Sequence, residues 1–250
     1  MKTMPKTFCK FLFFFLIVYK NECMSPLLIF RPQTKEEAFS YVMNIMEKSA
    51  WYQENGYEVR IPDHALFEQN YLHPHELTID ECSLRKVFSE KIYPLQSFEN
   101  AYIELEETQH IIKLALEELA TLNQNWNFKI WPTYQILLTL YGPGGSYNWQ
   151  TGFITLLSDE HRCHPLHKTV IIHEIVHLGI EENIVQKYHL THWEKERLVD
   201  LICKKYLSKI MPSYNMQRID DCRIDEFATY HDIINNLPDA IEKFIIKVPR

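Results

Sequence analysis

His173-Glu174-Ile175-Val176-His177 sets two imidazoles four residues apart, with a carboxylate beside the first. On a helix, residues i and i+4 project from one face, so His173 and His177 can hold a single metal ion. Glu174, one position on, reaches a water held by that ion rather than the ion itself. Zinc acidifies such a water and a carboxylate takes its proton, which is the chemistry of metal-assisted hydrolysis. The bland reading is two satisfied histidines on a buried helix. Val170, Ile171, Ile172, Ile175, Val176 and Leu178 predict deep burial here, and polar groups so placed need hydrogen bonds or a metal.

A catalytic zinc site asks for a third protein ligand and an open fourth position. Glu181, Glu182, His189, His192, Glu194 and Glu196 follow downstream. Leu198, Val199, Ile202, Cys203, Tyr206 and Ile210 define the apolar face of a helix opening at His192. Glu196 lies near the edge of that face and can point inward. Glu194 points away and completes a capping box with Thr191. Asp200, one turn after Glu196 on the same side, can hydrogen-bond the far nitrogen of a ligand histidine. His189 and His192 stay open as alternative ligands.

The elements that must position these residues read as an α+β fold. Apolar periodicity predicts helices over 35–49, 79–89 and 97–122. Aromatic and aliphatic runs at 128–131, 134–141 and 147–157 read as strands, with a turn at Gly142-Pro143-Gly144-Gly145. Helices follow at 167–179, from His192 to about Ile210, and within 225–248, with Pro238 near a break. Residues 24–125 read as a mainly helical N-terminal extension and 126–250 as the region carrying the site, together one compact unit.

The run His173-Glu174-x-x-His177, eighteen residues, then Trp193-x-x-Glu196-x-x-x-Asp200 resembles the gluzincin group of zinc metallopeptidases, which includes thermolysin-like and aminopeptidase N-like enzymes. The resemblance covers about residues 137–200. It implies a zincin-like fold, with a small mixed sheet whose edge strand packs on the active-site helix. It implies one Zn²⁺ held by His173, His177 and Glu196, Glu174 as general base, and Asp200 as partner of His173. It also implies that an extended peptide docks along the strand near Tyr147–Leu157, so that Tyr147, Asn148 and Trp149 touch substrate. The chain departs from the group in lacking a Gly-x-Met-x-Asn segment and a large C-terminal helical lobe. The metzincin spacing fits worse: Gly179 comes one place early, and Asn183 stands where a third histidine belongs.

Composition bounds the rest. The chain has 250 residues, 46% hydrophobic and 24% charged, enough for a real core. A net charge of -7 argues against a general nucleic-acid binder. Lys2, Lys6 and Lys10 precede an apolar run, Phe11 to Tyr19, too short to span a bilayer but of signal-peptide length. Residues 1–23 are therefore a signal peptide or an untranslated leader before Met24. The first makes the protein secreted or periplasmic, the second cytoplasmic. Cys82, Cys163, Cys203 and Cys222 carry no metal-ligand spacing. His161, Cys163, His164 and His167 crowd the loop before the helix and read as solvated or substrate-facing rather than as a second metal site. Tyr230 and His231 are candidate oxyanion donors, with Tyr188, Tyr206 and Tyr214 behind them.

The expected function is zinc-dependent peptide hydrolysis on a peptide or protein substrate. The competing expectation is a non-catalytic, zinc-stabilised binding or regulatory protein, its metal closed by a fourth ligand such as His189 or His192.

Overall fold

The computed structural model describes residues 26–73, 80–95, 97–158, 167–219 and 221–249. The expectations for the leader at 1–23 and for His161, Cys163 and His164 lie outside these residues.

Four strands form one mixed sheet in the order β1-β2-β4-β3. β1 (Leu27–Pro32) runs parallel to β2 (Thr133–Thr139), and β2 parallel to β4 (Phe153–Leu157). β3 (Gly145–Asn148) lies antiparallel on β4 at the sheet's edge. The strand expected over 128–131 is irregular backbone, and two further expectations are refined. The mainly helical N-terminal region supplies a strand, β1, because Leu27-Leu28-Ile29-Phe30 is too short an apolar run for periodicity to classify. The single strand expected over 147–157 is instead the hairpin β3–β4. Its turn is set by Asn148, which accepts from Gln150 N through its side chain (3.0 Å) and from Gly152 N through its carbonyl (2.9 Å). Gly152 takes φ +73°, a left-handed conformation that glycine adopts without a Cβ penalty.

The helices are α1 (Lys35–Glu47), α2 (Ser49–Glu54), α3 (Ala65–Leu72), α4 (Glu81–Val87), α5 (Glu99–Trp126), α6 (His167–Ile180), α7 (His192–Leu201), α8 (Tyr230–Asn235) and α9 (Leu237–Lys247). The mixed α+β class expected from sequence is what these elements form. α1 starts on a Thr34–Glu37 capping box and α7 on the Thr191–Glu194 box. Both α6 and α7 run on into widened π-type turns, at Glu181–Gln186 and Ile202–Tyr206. No described helix is long and apolar enough to cross a membrane.

Two apolar clusters hold these elements together. The larger packs α5, α6, α7 and α9 around the sheet. The smaller gathers Phe39, Phe67 and Phe88 from the N-terminal helices and reaches the sheet through Tyr141. α6 is buried on almost every side: Ile171, Ile172, Ile175 and Val176 have no exposed surface. Each such side chain stabilises the fold by about 1.5–3 kcal/mol, which offsets the cost of drawing the helix's polar groups out of water. Gly179 lets α6 pass Phe128, since a Cβ there would overlap the phenyl ring.

Candidate metal centre

α6 and α7 bring the three expected ligands to one point. His173 Nε2 lies 3.0 Å from His177 Nε2, and Glu196 Oε2 lies 3.4 and 3.3 Å from them. Tetrahedral coordination with bonds of about 2.0–2.1 Å spaces its ligand atoms about 3.3 Å apart, so the triangle fits an ion of zinc's size. Two imidazole nitrogens facing each other at 3.0 Å, with a carboxylate oxygen beside both, are what such an ion would hold together. Among the described residues this is the one cluster of histidine, cysteine or acidic side chains so arranged.

His189 and His192 stand outside it. His189 is exposed in the turn before α7, at φ +52°. His192 approaches Glu196 Oε1 only to 3.9 Å, and its Nε2 is engaged by the Tyr57 hydroxyl at 2.8 Å. Glu194 caps α7 as expected, yet it is buried rather than turned to solvent.

Each ligand is held by a residue that helical periodicity could not single out for that task. His173 Nδ1 meets the Tyr214 hydroxyl at 2.7 Å, and Tyr214 donates to Asp200 Oδ1 at 2.5 Å. The direct separation from His173 Nδ1 to Asp200 Oδ1 is 3.9 Å, beyond hydrogen-bonding range. The expected contact of Asp200 with His173 is therefore corrected to a relay through Tyr214. With the phenol accepting from Nδ1–H, Nε2 is left with a lone pair for a metal. Asp200 also accepts from Gln217 N (2.6 Å), and Gln217 Nε2 donates to Glu196 Oε2 (2.9 Å). Tyr214 and Gln217 thus tie one loop to two of the three ligands.

His177 is held differently. Tyr147 of β3 stacks on its ring at 4.8 Å and 12°, and the Tyr147 hydroxyl donates to Glu181 (2.7 Å), which also accepts from Gln186 (2.6 Å). His177 Nδ1 is buried with no hydrogen-bond partner among the described residues, so its orientation rests on this stack. Tyr147, expected to touch substrate, lines the cavity but chiefly braces a ligand. Trp149 also lines the cavity, while Asn148 is spent on the hairpin turn.

Glu174 stands against the edge strand. A Cβ on Gly145 would lie 2.5 Å from Val170 Cγ1 and closer still to Glu174 Oε1. Only glycine lets β3 approach the carboxylate this closely. Burial pushes the Glu174 carboxyl up to about 7, with the Glu196 charge adding to the rise and His173 opposing it. Burial works against charge on Glu196 too, but His177, His173 and Lys195 outweigh it and hold that carboxyl far below its usual range. Burial drives His177 down to about 4. It disfavours a charged His173 as well, yet hydrogen bonds to Cys203 and Glu196 leave that ring well above the usual imidazole value.

The centre opens into a cavity of about 600 Å³ that also exposes Glu174 and Lys195. Ligand sites in proteins commonly have this size. One wall is β3 with Gly145, Ser146 and Tyr147. The facing wall comes from α2 and the segment after it, through Trp51, Tyr52 and Tyr57. Tyr230 and His231 do not line it. Tyr230 is 52% exposed on α8 beside Tyr206, and His231 is exposed and bonded to Asn235. Tyr57 and His192 do line the cavity, as does Tyr214, one of the other expected candidates. Tyr57 lies far from the motif in sequence, and no spacing rule connects it to the site. Compared with known proteins, the chain matches no family model, no curated protein and no solved structure.

Proposed function

We propose that the protein is a zinc-dependent peptide hydrolase of gluzincin type. The observation that carries this reading is the ligand triangle of 3.0, 3.3 and 3.4 Å, with the Glu174 carboxylate on the same helix and an open cavity in front. A closed structural site would have a fourth side chain on the triangle, and the described residues provide three.

His173, His177 and Glu196 would hold Zn²⁺, which when bound supplies a Lewis acid for the scissile carbonyl and for the water nucleophile. Glu174 takes a proton from the attacking water and passes it to the leaving amine nitrogen, so water adds across the C–N bond with no net proton change. A carboxyl raised to about 7 is matched to that exchange at neutral pH. Tyr57 and His192 take the oxyanion-stabilising role that the sequence pointed toward Tyr230 and His231. β3, an edge strand whose outer side has no partner strand among the described residues, offers the line along which an extended peptide can bind.

Glu174→Gln tests the mechanism. The variant should bind one zinc per chain and lose peptidase activity by at least about a hundredfold. Activity surviving that change would remove Glu174 from the reaction. Zinc below about half an equivalent in wild-type protein that has met no chelator would remove the metal.

A further inference from the structure

Residues 49–57 precede everything that the metal motif includes, yet they build a wall of its cavity. Their rings form a pile rooted on the half-buried Trp193 of α7. Tyr57 stacks on Trp193 at 6.2 Å and 10°, and Trp51 stacks on Tyr57 at 5.3 Å and 27°. Tyr52 meets both Trp51 and Tyr57 edge-on. The His192 ring stands perpendicular to Trp51 at 5.1 Å. One end of the pile is packed against α7. The other end is Trp51, 39% exposed and lining the cavity. Only His192 separates Trp51 from the ligand Glu196, since His192 Nδ1 lies 3.9 Å from Glu196 Oε1.

A large indole left partly bare inside a cleft offers apolar area and a ring face to whatever enters. Among the described residues of the cleft wall no cation is aimed at that face: Lys195 sits over the Tyr147 ring at 5.3 Å and against Glu196 at 3.3 Å. Resting on the hydrolase reading above, we infer that Trp51 is a specificity-determining residue and that the site selects substrates with an aromatic side chain beside the cleaved bond. That ring continues the pile Trp193–Tyr57–Trp51. Its gain over an aliphatic side chain of similar size is the aromatic pairing itself, about two- to tenfold in affinity.

The test separates this inference from the reading beneath it. The zinc-loaded full chain is titrated with the hydroxamates of glycine, leucine, cyclohexylalanine and phenylalanine, which share one metal-chelating group and differ in side chain. The phenylalanine compound should bind two- to tenfold more tightly than the leucine and cyclohexylalanine compounds. In Trp51→Leu, with one zinc per chain retained, the phenylalanine-to-cyclohexylalanine ratio should fall to about one. Equal binding of phenylalanine and cyclohexylalanine compounds to wild type overturns the inference and needs no variant. So does a preference that survives Trp51→Leu. If none of the four binds, the metal centre is not open, and the hydrolase reading falls with the inference.

Discussion

Replacing Tyr214 by phenylalanine removes one oxygen and breaks the link between Asp200 and His173. Tyr214 is 5% exposed, and its ring can remain where it is. What changes is the polar chain. His173 Nδ1 loses its 2.7 Å partner, and Asp200, 3.9 Å away, is too distant to replace it. Asp200 keeps the Gln217 amide. A buried donor left unpaired costs about 1–3 kcal/mol, and the weakly accepting Cys203 thiol beside the ring offsets only part of that. Loss of the group that orients a metal-ligating histidine typically costs about ten- to a hundredfold in metal affinity, or about 1.4–2.7 kcal/mol. The two estimates agree in size, so zinc should bind about ten- to a hundredfold more weakly to Tyr214→Phe. Competition against a chelator of known affinity at fixed pH reads this directly. Because Asp200 reaches His173 through Tyr214, Asp200→Asn should cost less in the Tyr214→Phe background than in wild type, the remainder passing through Gln217 to Glu196, a non-additive cycle. Zinc affinity within threefold of wild type in Tyr214→Phe would refute the relay, as would an undiminished effect of Asp200→Asn.

Gly145→Ala drives a methyl group into Glu174 and Val170; displacing the carboxylate by about 1 Å should cut turnover about a hundredfold while zinc content stays at one per chain, and full turnover would show that β3 does not confine Glu174. Gly179→Ala overlaps Phe128 and should destabilise the fold by about 1–3 kcal/mol, lowering Tm by several degrees in a thermal melt. Glu37 pairs with Arg31 through two hydrogen bonds of 2.7 Å, and the guanidinium holds its carboxyl down at about 2 against the effect of burial. A carboxyl depressed on folding adds stability above its unfolded value near 4.5, lost as pH falls toward 2. The pair is about a third exposed, so Glu37→Gln should cost no more than about 1 kcal/mol near pH 7; in urea melts that difference should shrink below pH 4.5, and one independent of pH would break the linkage.

The candidate metal cluster, the carboxylate of Glu174 beside it and the capping box of α7 were legible because all of them obey the periodicity of a helix. His173, Glu174 and His177 share a turn, and the wheel that turns Glu196 inward needs no tertiary information. Tyr214 and Gln217 were not legible in their positioning role because they lie between regular elements, where no period says which way a side chain points. Tyr214 drew notice only as one tyrosine among several oxyanion candidates. Tyr57 and Trp51 were hidden by distance in sequence: their rings meet α7 only after the chain has folded. Tyr147 was placed on the right strand, but an alternating strand pattern does not say that its ring would settle on His177. β1 escaped because a few apolar residues before a proline resemble many other things, and only the pairing of Leu27 with Thr133 makes them a strand.

That pairing also bears on how the molecule is assembled. On a ribosome adding roughly 5–20 residues each second, β1 emerges about 5–20 s before its partner β2 exists. Through that interval it is an apolar segment with nothing to pair with, the state in which strands find wrong partners. The β3–β4 hairpin is synthesised next, and α6, α7 and the Tyr214–Gln217 loop follow it. The metal centre therefore draws on residues made after every strand of the sheet, and the sheet itself has to close across a long stretch of chain, a kind of closure that is slow.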